Sequence, residues 1–151
     1  MLEIDRSLND FNYYYFYLLT HLRINRYQVE PDHPQIQANA IAALDVFEEA
    51  RRKGKSVPEA EEEAMSVLFT NIGESEYNIV SELILENFGD TIDLDSEQAV
   101  EYWTNQVMTD IPDLFDTFDR LTIGLDPLDL YVSENDIVGK IVIYLTDNGL
   151  Q

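Results

Sequence analysis

The chain contains no cysteine. That excludes disulfides, thiol nucleophiles and Cys-based zinc or iron–sulfur sites. Histidine is nearly absent too. His21 and His33 are the only two, and neither begins a His-x-x-x-His pattern. Nothing in their spacing pairs either one with a Ser and an Asp for nucleophilic catalysis. The six glycines, at 54, 73, 89, 124, 139 and 149, are scattered, so no phosphate-cradling loop is formed. No run approaches the roughly 20 apolar residues of a membrane span. Met1-Leu2-Glu3-Ile4-Asp5-Arg6 lacks the basic-then-apolar order of a signal peptide. These absences set the expectations of no cofactor, no metal, no membrane partner and a cytoplasmic location.

Positive charge is the other scarcity. Nine Lys/Arg face thirty Asp/Glu, for a net charge of −21. The imbalance is uneven. Residues 1–55 hold seven Lys/Arg against eight Asp/Glu, net −1; residues 56–151 hold two, Arg120 and Lys140, against twenty-two, net −20. Such a surface repels phosphate backbones and anionic lipid, which disfavours direct nucleic-acid binding outside the first third.

What the chain does have is apolar bulk. The 151 residues are 45% hydrophobic and include nine Tyr and seven Phe. This is enough for one folded domain with its own core and argues against disorder. Phe11-Asn12-Tyr13-Tyr14-Tyr15-Phe16-Tyr17 concentrates the aromatics, and a helical stripe runs through Leu8, Phe11, Tyr14 or Tyr15, Leu18 and Leu22. Ser7 with Asp10 has capping-box spacing and predicts the start of this helix. Its apolar character nearly all round predicts a central helix.

Further helices follow from caps and periodicity. One is expected from Pro34 or Gln35 to Lys53, stopped by Gly54. The next opens at Ser56 with Glu59 as capping partner, and its end is assigned to Gly73. Another carries Tyr77, Val80 and Leu83 and is assigned a stop at Gly89. A fifth is capped by Asp95 or Ser96 and ends before Pro112. A short helical turn is expected near Asp113 to Leu121, and an extended connection from Leu121 to Val132. The last helix is expected to open at Ser133 with Asp136 as its partner. The expected fold is all-α: a single-domain multihelical bundle of about six helices, residues 1–151, packed around the aromatic N-terminal helix.

Four stretches qualify as candidate sites. Asp90, Asp93, Asp95 and Glu97 resemble a calcium loop in composition only, because an EF-hand begun at Asp93 would have Gln98 where it needs Gly and Thr104 where it needs Glu. Asp110, Asp113, Asp116 and Asp119 recur every third residue, which on a helix makes one broad face for a divalent cation or a basic partner. The run Tyr13 to Tyr17 could stack on bases, but the acidic remainder removes the phosphate attraction. Tyr13 and Tyr17 therefore read better as core with an edge for a protein contact. Arg51-Arg52-Lys53-Gly54-Lys55 is the only basic cluster, suited to an acidic surface such as that of a second copy, which gives a homodimer as one expectation.

The stretches Tyr13 to Arg23, Glu49-Ala50-Arg51-Arg52-Lys53-Gly54 with Ala60 to Leu68, and Leu145-Thr146-Asp147-Asn148-Gly149-Leu150-Gln151 resemble DUF1896, a family of uncharacterised proteins from Bacteroidetes. The resemblance implies an all-helical fold, no established activity, and occurrence on or beside mobile genetic elements. It carries over no functional residues.

The functional expectation is a non-catalytic protein-interaction module with a partner of unknown identity, contacting it through Tyr13, Tyr17, Arg51, Arg52, Lys53, Asp113 and Asp116. The first alternative is an acidic nucleic-acid mimic that occupies a DNA-binding partner. The second is a metal-dependent enzyme using Asp110 to Asp119.

Overall fold

The structure is a computed structural model that describes the backbone of residues 2–149 and the side chains of residues 10–149. It is all-α and multihelical, as expected. Six α-helices, α1 (Leu2–Ile24), α2 (Pro34–Arg52), α3 (Val57–Leu68), α4 (Glu76–Asn87), α5 (Glu97–Asp110) and α6 (Leu130–Asp147), are joined by loops and one 3-10 turn at Pro127–Asp129. Among the described residues no helix is long and apolar enough to cross a membrane. The packing gathers into two compact units. Unit 1 is Met1–Ile24 with Val29–Ile72, and unit 2 is Asn25–Gln28 with Gly73–Gln151.

Unit 1 is α1, α2 and α3. Tyr14, Leu18 and Leu22 form the buried stripe of α1, one residue per turn. Leu8, on the expected stripe, lies outside the described side chains. Alanines at 40, 43 and 50 on α2 and at 60 and 64 on α3 are buried. Small side chains let helix backbones approach closely. Ser56 caps α3, accepting from the Glu59 backbone N–H while its hydroxyl donates to the Glu59 carboxylate (2.9 Å). His33 caps α2, with Nδ1 accepting from the Gln35 N–H at 3.1 Å and Pro34 at the first helical position. Buried Asn39 satisfies the loose carbonyls at the end of α3, donating to Leu68 O at 3.0 Å and Thr70 O at 2.9 Å.

Unit 2 buries Ile79, Val80, Leu83, Ile84 and Phe88 from α4 and its cap with Val107, Leu114, Phe115, Phe118 and Leu125, and with Ile137, Ile141 and Leu145 from α6. Its strap, Asn25–Gln28, is held by α4 and the residues just before it. Ser75 Oγ donates to Asn25 O at 2.5 Å, Asn78 Nδ2 to Asn25 Oδ1 at 2.8 Å, and Tyr27 OH to Gly73 O at 2.5 Å. Arg26 lies 4.8 Å over the Tyr77 ring and 3.0 Å from Glu101. Gly73 and Glu74 pair in antiparallel fashion with the chain at Ile123 and Leu125.

Several expected boundaries are corrected. Ser7 lies inside α1, which already runs from Leu2, so its spacing to Asp10 is a coincidence of interior residues. Ser133 lies inside α6 and is buried, because Asp126 starts the preceding 3-10 turn and α6 begins at Leu130. The expected extended connection therefore ends at Asp126. α3 stops at Leu68, short of the assigned Gly73, whereas α4 ends at Asn87 with Phe88 as its C-cap, so the assigned Gly89 follows it directly. Gly73 serves close approach instead: a Cβ there would sit 2.1 Å from Leu125 O. Gly89 meets nothing within 4 Å.

Gly73→Ala should therefore force the 73–125 pairing apart and cost on the order of 3 kcal/mol, whereas Gly89→Ala should change stability by under about 1 kcal/mol. Urea midpoints of the two variants, at unchanged slope, check this; equal midpoints would refute the role given to Gly73.

Candidate functional site

α1 presents two faces because residues three and four apart share a side. One face carries Tyr14, Leu18 and Leu22 into unit 1. The other carries Tyr13, Phe16, Tyr17, Thr20, His21 and Ile24, which with Asn12 line a shallow groove of about 500 Å³. Tyr13 is 50% exposed, Phe16 57%, Tyr17 46% and Ile24 71%. Large apolar side chains left in water on one continuous strip are the usual mark of a contact surface. The expected central helix with an exposed tyrosine edge is extended in one respect: among the described residues the solvent-facing strip runs past the tyrosines to Phe16 and Ile24.

The strip is ordered by its own ring contacts. Tyr13 and Tyr17 have centroids 6.1 Å apart, and Tyr15 meets Phe16 edge-on at 5.5 Å. Phe69, just past α3, meets His21 edge-on at 4.8 Å and Tyr17 at 6.2 Å. Beneath the strip, Tyr14 OH donates to Glu61 Oε2 at 2.9 Å, and Glu61 Oε1 is buried without a hydrogen-bond partner among the described residues. Burial and the hydrogen bond to Glu61 push the Tyr14 hydroxyl well above the usual tyrosine range. Tyr13 is raised by partial burial and by the Glu61 charge.

None of the other candidate residues lines this groove. Arg51, Arg52 and Lys53 end α2 and do not line it. Arg51 Nη1 donates to Lys55 O at 2.8 Å, and Arg52 pairs with Glu49 at 2.9 Å and Glu48 at 3.5 Å. Arg51 and Arg52 are thus satisfied locally as a charged helix end. Asp113 and Asp116 belong to unit 2, in a run of hydrogen-bonded turns after α5. Lys140 Nζ donates to Asp113 O at 2.6 Å and pairs with Asp136 at 3.1 Å.

The four aspartates do not form the helix face expected of them. α5 ends at Asp110, whose carboxylate accepts from Tyr144 OH at 2.7 Å, and Asp119 donates its N–H to Asp129 Oδ2 at 2.5 Å. Pro112 breaks the helical register between the first and second members. Among the described residues, no three His, Cys, Asp or Glu side chains come together as a metal-holding group.

Sequence reasoning picked Tyr13 and Tyr17 from the strip and missed Phe16, Thr20, His21 and Ile24. The signal was present as a second 3-4 spacing running parallel to the core stripe.

The family model that matches the chain, over residues 6–150, is described as a domain of unknown function (DUF1896). Among solved structures, the crystal structure of protein PG0816 from Porphyromonas gingivalis is similar at a TM-score of 0.74 and 22% identity, over 97% of this chain and 98% of that one. That likeness shows a shared fold. No curated protein matches the chain.

Ionisation of Tyr14 is disfavoured in the folded state. Its stabilisation is therefore complete below about pH 10, the unfolded tyrosine's value, and is lost as pH rises past it. Tyr27, pushed up to about 12 by burial and Glu74, and Tyr144, pushed up to about 12 by its bond to Asp110, add to the same loss between pH 10 and 12. Urea midpoints should fall across that window, and Tyr14→Phe should reduce the slope; a flat profile from pH 9 to 12 would contradict the assignment.

Proposed function

The chain belongs to the DUF1896 family, a domain of unknown function, and from that premise we propose that it is a non-catalytic protein-interaction module whose contact surface is the exposed face of α1. The single observation that carries this reading is the strip of Tyr13, Phe16, Tyr17 and Ile24, each 46% exposed or more, on a helix whose opposite face is fully buried. Rings held edge-to-face lose little conformational freedom on binding, and Tyr is favoured at interfaces. The strip sits on a regular helix, so its geometry is set before a partner arrives.

A second reading is supported by the charge of unit 2. It holds eighteen Asp/Glu and three Lys/Arg. All three cations, Arg26, Arg120 and Lys140, are engaged in ion pairs, which leaves a field of one sign. Such a surface suits a mimic of nucleic acid that occupies a DNA-binding partner.

Two outcomes separate the readings. With a photo-crosslinking residue in the native host, placement at Phe16 should trap discrete adducts, and placement at Leu128 of unit 2 should not. Tyr13→Ala and Phe16→Ala should weaken capture of the trapped protein at least tenfold, about 1.4 kcal/mol each, while shifting the melting temperature by only a few degrees. Adducts from Leu128 alone would favour the mimic and defeat the α1 surface.

A further inference from the structure

The α1 groove is neutral in an acidic molecule. None of its lining residues is a carboxylate, a lysine or an arginine. From Tyr13 to Ile24 it covers three turns, about 16 Å. An apolar strip of that length fits the contact face of a second helix of about three turns, which offers anchors at i, i+4 and i+7.

Charge is placed unequally at the groove's ends. At the Tyr13 end, half-buried Asp10 lies one turn earlier on α1. The Glu61 carboxylate lies beneath the same end, held by Tyr14 with its Oε1 buried, and adds to the negative field there. At the Ile24 end stands exposed Arg23. A second copy of the chain would bring another −21 charges and be repelled at long range. A positively charged partner is drawn in and orients by the carboxylate end.

Taking the α1 face as the contact surface proposed above, we propose that its occupant is a basic amphipathic helix of about three turns. Its apolar residues sit on Phe16, Tyr17 and Ile24, and its Lys or Arg side chains lie at the Asp10 and Glu61 end. Tyr13, exposed there, offers a ring face to such a cation.

The test uses the full chain and two synthetic 14-residue helices. Both carry Leu at i, i+4, i+7 and i+11; one has Lys on its polar face and the other Glu. Binding is read by fluorescence anisotropy at about 150 mM salt, where distant surface charges are screened. The Lys peptide should bind in the micromolar range and the Glu peptide at least about 30-fold more weakly. Phe16→Ala should weaken the Lys peptide at least about tenfold. Asp10→Lys should weaken it about three- to fivefold. Circular dichroism confirms that both variants are folded.

Equal binding of the two peptides overturns the proposal, as does Lys-peptide binding that Phe16→Ala leaves unchanged, since that would be attraction to the acidic surface at large. Sedimentation velocity distinguishes the remaining failure. Self-association lost in Phe16→Ala, without Lys-peptide binding, overturns the basic helix and leaves the α1 contact surface standing. If neither peptide binds and the chain does not self-associate, the basic helix is overturned, and the crosslinking at Phe16 and Leu128 decides the α1 surface separately.

Discussion

The contact between the backbone of Gly73 and that of Leu125 constrains the whole of unit 2. Gly73 N–H donates to Ile123 O at 2.7 Å, while Gly73 O accepts the Tyr27 hydroxyl at 2.5 Å. One residue thus joins the strap at 25–28, the approach to α4, and the loop that leads into α6. Hydrogen bonding to backbone is local in strength but long in reach, because each bond fixes two segments at once. Gly124, at φ +86 with the Tyr27 ring 3.0 Å from where a Cβ would stand, tightens the same joint. Without this joint the strap would lose its Gly73 anchor, and with it the base from which Arg26 reaches Tyr77 and Glu101.

Unit 1 is governed by a different constraint. Its alanine-lined helices let α2 and α3 approach closely, and α1 lays Tyr14, Leu18 and Leu22 into the core. A helix of aromatic residues has more apolar surface than one neighbour can cover. The surplus appears as the strip from Tyr13 to Ile24. The folding role and the proposed binding role of α1 are therefore two sides of one composition.

The fold class was legible because helix periodicity and caps are local. Ser56 with Glu59, the helix start at Pro34, and Gly54 past α2 all act within one turn, and each stands where the spacing places it. Ser7 and Ser133 show the limit of that logic. Ser-x-x-Asp looks alike at a helix start and inside one, and what decides is how far the preceding chain can continue the helix. Gly73 failed for another reason: its use is set by Leu125, some fifty residues on, and no local pattern carries that. The aspartates from 110 to 119 were spaced for a helix face that Pro112 does not allow. In the candidate site, Tyr13 and Tyr17 were readable as aromatic and interface-prone, but which stripe of an all-apolar helix stays wet is decided by the neighbours it meets.

The strap has a consequence for how the chain is made. Residues 25–28 emerge between the two segments that build unit 1, and before the groups that hold them at 73–78 and 101. Unit 1 can complete its three helices while the strap still has nothing to grip. Unit 2 cannot finish until the ribosome has released the chain past Leu125 and α6, and by then its first four residues are already tied at both ends to a folded neighbour. The nascent protein would therefore assemble in an enforced order, with an interval in which Asn25–Gln28 wait, tethered but undocked.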